Sequence, residues 1–456
     1  MRKSILEKFF SAPAEVLEKS VELEREIKDG IGRQRSVRGA REYWKTLGPG
    51  LTTGAADDDP SGIATYSQVG ASRGFSLIWL SPFLLPLMGA VQEMCARIGL
   101  TTGVGLATNI KRHYSRKILY FCTFLLLFAN VFNIGADLGA MAQGVQLVFP
   151  QVNFIFLVFS FAVLSLALQI FIPYRKYSKY LKYLALVLFA YVFSAFSVSI
   201  NWMDLFKNLV IPTLSFSKNE IILVCAIFGT TISPYLFFWQ TSQEIEEQIL
   251  KGEKTEEKRR SLNTNESIHK MRIDVWSGMF FSNIIMFFII ATCAATLFSA
   301  GITNIGTAAD AALALRPFAG DFAFMLFAIG IVGTGLLAIP ILAGSASYAM
   351  SEAFNWKSGL YRKLKQATSF YGVIIVAMIL GITLNLIGFD PIKTLIYSAV
   401  FNGIISPIIL FFIIRISANQ EIMGEFKNKK LTNIVGWLTV SLLFIVSIST
   451  IIFLFV

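Results

Sequence analysis

The chain has 456 residues, of which 55% are hydrophobic and 15% charged, with a net charge of +11. That balance excludes an ordinary water-soluble globule and points to a polytopic helical membrane protein. The positive charge lies in short loops between apolar runs, which argues against a nucleic-acid-binding stripe.

Runs of about 20 apolar residues, the length that crosses a bilayer as a helix, occur at 47–70, 75–98, 118–148, 153–173, 180–200, 219–242, 274–299, 322–351, 368–388, 392–414 and 432–455. Ahead of them, residues 1–43 form a polar arm with no cleavable signal pattern. Its stretch 14–29 suits either an amphipathic surface helix or a solvated segment. A charged connection, 244–273, expected as part helix and part flexible, follows the sixth span. Basic residues crowd every second loop: Arg33 to Lys45, Lys111 to Lys117, Arg175 to Lys182, Lys251 to Arg260, Lys357 to Lys365, and Arg415 with Lys427 to Lys430. The alternate loops hold scattered charges such as Lys207, Arg316 and Lys393. The positive-inside rule then predicts a cytoplasmic N-terminus in the cell membrane and, after eleven spans, an outside C-terminus. The chain divides into the arm 1–43, five spans over 44–200, five over 201–415 and one more over 416–456.

The first span is interrupted by Ala55-Ala56-Asp57-Asp58-Asp59-Pro60-Ser61-Gly62. A carboxylate at membrane depth costs about 2.5–3.5 kcal/mol on insertion scales, so this segment must face protein or water and not lipid. Gly229-Thr230-Thr231-Ile232-Ser233-Pro234-Tyr235 interrupts the sixth span in the corresponding place. Pro60 and Pro234 each remove a backbone donor and leave carbonyls without helical partners. Matching breaks in two five-span halves point to the substrate site of an inverted-repeat transporter. Two ordinary proline kinks are the bland alternative, and the three aspartates weigh against it.

Little else in the sequence carries chemistry. Cys95, Cys122, Cys225 and Cys293 lie in or beside apolar segments without CxxC spacing, so buried packing is expected of them. His113 and His269 fall in expected loops. HExxH, GxSxG, Walker A and GxGxxG patterns are absent, and no enzyme is expected.

Several segments together carry a family likeness. Gly48-Pro49-Gly50 leads to Asp59-Pro60-Ser61-Gly62 and Gln68-Val69-Gly70-Ala71; Ala96-Arg97-Ile98-Gly99 precedes Thr102-Gly103; Ala136-Asp137-Leu138 and Met350-Ser351-Glu352-Ala353-Phe354 follow. Over residues 46–415 the chain resembles the Nramp family of divalent metal transporters. The resemblance implies an all-helical LeuT-like fold, a 5+5 inverted repeat with an additional eleventh transmembrane helix. It implies alternating-access transport in which the metal is substrate, with no cofactor. It also implies Asp59 as the charged ligand and the backbone carbonyls of Ala56 and Thr230 as further ligands. The departures are specific. The family's Asn becomes Gly62, its Met becomes Ser233, and its His becomes Tyr235. A second acid in the third helix becomes Ala140, and a polar residue in the tenth becomes Ala399, with Asn402 one turn away.

Without a thioether, the donors are hard oxygens: Asp59, the two carbonyls, and the Ser233 or Thr231 hydroxyl. Gly62 removes a ligand and widens the site, which suits Mg²⁺ that keeps several of its waters. In this respect the chain resembles the Nramp-related magnesium transporters more than the manganese and iron branch, with Mn²⁺ still accepted. Asp58 reads either as a carboxylate guarding access to the ion or as a helix cap. Asp137 reads either as a relay or as an acid paired with Asn133 or Asn130. Glu93 and Arg97 read as an ion pair, and Glu244, Glu246 and Glu247 as caps of the sixth span, with attraction of metal there the lesser alternative. Tyr235, a phenol with an ordinary pKa of about 10, and Ala140 together predict weak or absent proton coupling. Two alternatives stay open: an amino-acid-like solute transporter of the same fold, and a non-transporting sensor. The expected partners are the lipid bilayer and the ion, with no nucleic acid; the oligomeric state is open and a monomer suffices.

Overall fold

The computed structural model describes residues 43, 47–172, 188–261 and 263–455. The stretch 14–29, the basic residues Arg175 to Lys182 and the start of the fifth span at 180–187 lie outside them. Among the described residues the structure is helical without strands, and nine helices are long and apolar enough to cross a membrane. They match nine of the eleven expected spans. The first expected span is split, and the fifth is described only as Phe189–Ser197.

The split follows from the sequence. Helix α1 (Pro49–Asp57) stops at Asp58, and α2 (Pro60–Arg73) restarts behind Asp59. Asp59 is extended (ψ 173°) and its side chain accepts from the Gly62 amide, while Pro60 fills the first helical position, where no N–H is needed. The sixth span repeats this device further along the chain. After α3 (Leu80–Thr102), α4 (Leu106–His113), α5 (Arg116–Val148), α6 (Phe154–Phe171), α7 (Phe189–Ser197) and α8 (Trp202–Val210) comes α9 (Lys218–Thr231). An extended Ser233 then separates α9 from α10 (Pro234–Leu250). The remainder is α11 (Glu256–Ser261), α12 (Asn265–Cys293, continued by a π-helical turn to Phe298), α13 (Ala308–Leu313), α14 (Arg316–Ala319), α15 (Ala323–Phe354), α16 (Thr368–Leu386), α17 (Pro391–Ala418), α18 (Gln420–Met423) and α19 (Lys430–Phe455). Some local expectations shift. His113 ends α4 and His269 lies within α12, so both histidines are helical. The connection 244–273 is largely helix as well, because α10 runs on to Leu250 and α12 starts at Asn265.

Two groups of helices emerge from the packing. One gathers α1, α2, α3, α10 and α12; the other gathers α5, α6, α15 and α16. Helix α17 packs on α5 and α9, and α19 on α17. Lipid offers no hydrophobic drive between helices, so close backbone approach must hold the first group together. A Cβ on Gly54 would fall 2.2 Å from the Gly278 carbonyl oxygen, and one on Gly278 would fall 2.1 Å from that of Gly50. Asp274 of α12 accepts from the Gly50 and Leu51 amides at 2.7 and 3.1 Å, which puts a carboxylate on the positive end of α1.

Candidate functional site

The two helix breaks face each other. The Tyr235 hydroxyl, one residue into α10, donates to the Ala56 carbonyl at 2.9 Å. A Cβ at Gly62 would sit 3.2 Å from Thr230 Oγ1, so the absent side chain is what brings the two segments close. Asp57, Asp58 and Asp59 are at most 1% exposed. Asp59 Oδ1 accepts from Ser61 Oγ at 2.6 Å and the Gly62 amide at 2.7 Å, while Oδ2 accepts from Asn133 Nδ2 of α5 at 2.9 Å. Ser398 of α17 in turn donates to Asn133 Oδ1 at 2.6 Å. Asp57 and Asp58 look to another helix. Ser282 Oγ of α12 lies 2.6 Å from Asp57 Oδ2 and 3.3 Å from Asp58 Oδ1, and its single proton serves one of them at a time.

The remaining expected site residues divide by how free they are. Ser233 Oγ lies 2.5 Å from the Gly229 carbonyl and 2.9 Å from that of Thr230, so its proton is used and its lone pairs are open. The Ala56 and Thr230 carbonyls therefore each already have a hydroxyl donor within reach. An ion that takes both shares them with the Tyr235 and Ser233 hydroxyls or displaces those contacts. Thr231 Oγ1 turns back to the Ile227 carbonyl of its own helix at 2.6 Å. Asn402 is buried on α17 and its Oδ1 has no partner among the described residues. Among those residues no cluster of three histidine, cysteine or acidic side chains is poised to hold a metal, so the donors on offer are one or two carboxylates with carbonyls, hydroxyls and water.

Two expectations are corrected and a third is borne out and extended. Asp137 is not paired with Asn133 or Asn130, because Asn133 serves Asp59 and Asn130 donates to Ser345 Oγ and the Leu342 carbonyl. Both Asp137 oxygens lack a partner among the described residues. The expected Glu93–Arg97 ion pair is present at 3.5 Å, and Glu93 also meets Arg272 at 2.9 Å and Trp276 Nε1 at 2.8 Å, so it ties α3 to α12 as well. Glu246 does not cap α10. It accepts from the Tyr348 hydroxyl and the Leu360 and Tyr361 amides, and thereby fastens α10 to α15 and the turn after it. Asn133 as a partner of Asp59, and Ser282, were not anticipated. Asn130, Asn133 and Asp137 at spacings of three and four mark a polar stripe on α5 that could have pointed to the first.

The two ends differ in their side chains. At the basic-loop end, Asp274, Glu246 and Arg259, which donates to the Gly103 carbonyl at 2.9 Å, lace the helices together. At the opposite end a cavity of about 630 Å³ reaches Gln68 on α2, with Arg73, Asn219, Asn304 and Lys393 in its wall. Arg73 there lies 3.5 Å from Glu220.

Two broken helices meeting at buried oxygens, in a structure that is helical among the described residues and has nine membrane-length helices there, define the class of a LeuT-like membrane transporter. The chain belongs to the Nramp family: the family described as natural resistance-associated macrophage protein-like matches residues 50–453. It is 26% identical over 416 residues to the divalent metal cation transporter MntH of Klebsiella pneumoniae strain 342, covering 89% of this chain and 94% of that one. It is 24% identical over 417 residues to MntH of Erwinia tasmaniensis, with the same coverage. Among solved structures it is similar to the Eremococcus coleocola manganese transporter in complex with an aromatic bis-isothiourea substituted compound. The TM-score is 0.70 at 19% identity, with 90% of this chain and 87% of that chain covered. It is also similar to MhsT in complex with L-phenylalanine, with a TM-score of 0.59 at 13% identity and coverage of 90% and 98%. At such identities these two likenesses speak for the fold alone.

Proposed function

We propose that the chain transports divalent metal cations by alternating access, favours the hard ions Mg²⁺ and Mn²⁺, and couples weakly or not at all to protons. Relatives named as divalent metal cation transporters support the cargo class. The observation that carries the reading is the environment of Asp59. It is a buried carboxylate at a helix break with three neutral donors, and among the described residues no cation pairs with it. A buried charge without a partner is costly, and a bound dication removes that cost. Neither break carries methionine or histidine, so the oxygen donors favour hard ions over softer metals.

The amino-acid alternative loses support at the same place. A substrate carboxylate would need the amides at the start of α2, and the Gly62 amide is already given to Asp59. Alternate basic loops support a cytoplasmic N-terminus and an outside C-terminus in the cell membrane, with the ion entering through the cavity above Gln68. Uptake of Mn²⁺, Mg²⁺ and Ca²⁺ into proteoliposomes by wild type and Asp59→Ala tests the proposal. Asp59→Ala is expected to abolish flux, and undiminished uptake would overturn the assignment. Lumenal acidification in strict proportion to metal uptake would overturn the uncoupled part. Concentrative uptake of labelled amino acids would favour the alternative, and ion binding without flux would leave a sensor.

A further inference from the structure

We propose that the protein holds one anionic phospholipid at its basic-loop end, with the headgroup in a polar cavity and an acyl chain in an adjoining apolar groove. The cavity, about 320 Å³, lies between residues 103–105, the end of α10 and the turn after α15. Lys254, Lys357 and Arg362 line it, and among the described residues none of the three has a carboxylate within 4 Å of its nitrogens. Arg362 Nε donates to the Ser358 carbonyl and its guanidinium lies 4.9 Å over the Tyr361 ring, which leaves its outer N–H groups for a ligand.

The two carboxylates in the wall are already committed. Glu246 accepts from the Tyr348 hydroxyl and the Leu360 and Tyr361 amides, and Glu352 accepts from the amide and hydroxyl of Thr108. Arg259 spends its donors on the carbonyls of Gly103, Glu253 and Lys254 and so builds the wall. The charge left over in the cavity is positive.

A second observation selects a lipid over a soluble anion. Trp356 of the same cavity stacks on Phe354 with centroids 5.1 Å apart, and Phe354 stacks on Tyr120 at 5.3 Å and meets Phe124 edge-on at 6.5 Å. Tyr120 and Phe124 line an apolar groove of about 820 Å³ between α5 and α16, with Leu380 and Leu384 opposite. One aromatic row thus joins a basic cavity to an apolar channel, the shape and polarity of an anionic amphiphile. Trp and Tyr favour the membrane–water interface, and basic pockets between helices at that depth take anionic headgroups.

The test is native mass spectrometry of the full chain released from bilayers of equal phosphatidylglycerol and phosphatidylcholine. Wild type is expected to retain one phosphatidylglycerol in preference. The Lys254→Gln/Lys357→Gln/Arg362→Gln variant should lose that preference by on the order of 100-fold. Leu380→Trp, an exposed groove position, should weaken retention while leaving the headgroup cavity intact. Absence of a preference in wild type, or its survival in the triple variant, would overturn the site. Unchanged retention in Leu380→Trp, or displacement by soluble glycerol phosphate at equal concentration, would overturn the lipid and leave a small-anion pocket.

Discussion

Asn133 offers the sharpest test of how the site works. Of the three groups that donate to Asp59, Ser61 and Gly62 belong to the same helix break, and only Asn133 comes from another helix. Asn133→Ala leaves Asp59 Oδ1 held and frees Oδ2. A hydrogen bond to a charged group is worth about 1.5–3 kcal/mol. Loss of a group that orients a metal ligand typically costs about 10–100-fold in affinity, a span of about 1.4–2.7 kcal/mol that overlaps the first. In proteoliposomes the KM for Mn²⁺ should therefore rise about 10–100-fold, with a smaller change in maximal rate. Ser398→Ala acts one step further out, through the Asn133 carbonyl oxygen, and should cost less than about tenfold. A wild-type KM in Asn133→Ala would refute the orienting role. So would an equal loss of maximal rate in both variants, which would mark the contact as helix packing.

Other outcomes follow from the same geometry. Ser233→Met places a thioether at the second break and should raise Cd²⁺ uptake while lowering Mg²⁺ uptake in competition assays. Tyr235→Phe removes the donor from the Ala56 carbonyl. If that carbonyl binds the ion, one competing bond of about 1 kcal/mol is gone and Mn²⁺ affinity should rise up to about fivefold by calorimetry; weaker binding would show that the phenol itself helps to hold the ion. Gly54→Val drives a side chain into the α12 backbone and should lower Tm by a destabilisation of about 1–3 kcal/mol or more. Arg112 forks onto Glu256 at 2.7 and 2.8 Å, and that hydrogen bond, with its charge, holds the Glu256 carboxyl below its ordinary range. A lowered folded-state pKa contributes stability above the unfolded value of about 4.3 and loses it as pH falls through the folded value. The pair is partly exposed, so Glu256→Gln should cost at most about 1 kcal/mol at pH 7. The Tm gap from wild type should close below about pH 4.

Much of the fold was legible because its signals are local. Apolar length marks a span, and Asp59-Pro60 and Ser233-Pro234 break a helix through the chemistry of their own residues. The site was legible only as far as its own segment. That Asp59 is buried against protein followed from its cost in lipid, but which helix would supply the facing donor did not. Asn133 belongs to a polar stripe and Ser282 has Asn283 beside it, each in a long apolar helix, and a sequence shows that such residues face inward without showing whom they meet. Glu246 misled for a related reason. Its position near a helix end suggested a cap, whereas its partners come from a turn more than a hundred residues away.

The division of the three aspartates bears on how binding could drive motion. Asp57 and Asp58 meet Ser282 on α12, which packs in the same helix group as α1 and α2. Asp59 meets Asn133 on α5, in the other group, and through it Ser398 on α17. Alternating access in this architecture is largely the rocking of one helix group against the other around a fixed site. The Asp57–Ser282 contact stays within one group and is preserved by such a motion, whereas the Asp59–Asn133 bond spans the boundary and must be strained, broken or replaced. An ion bound at Asp59 as proposed shares Oδ2 with that bond, since a carboxylate oxygen has lone pairs for both. With Asp59 as the proposed ligand, occupancy of the site and the hold between the two helix groups depend on the same carboxylate oxygen, the kind of differential contact that lets a ligand shift a conformational equilibrium.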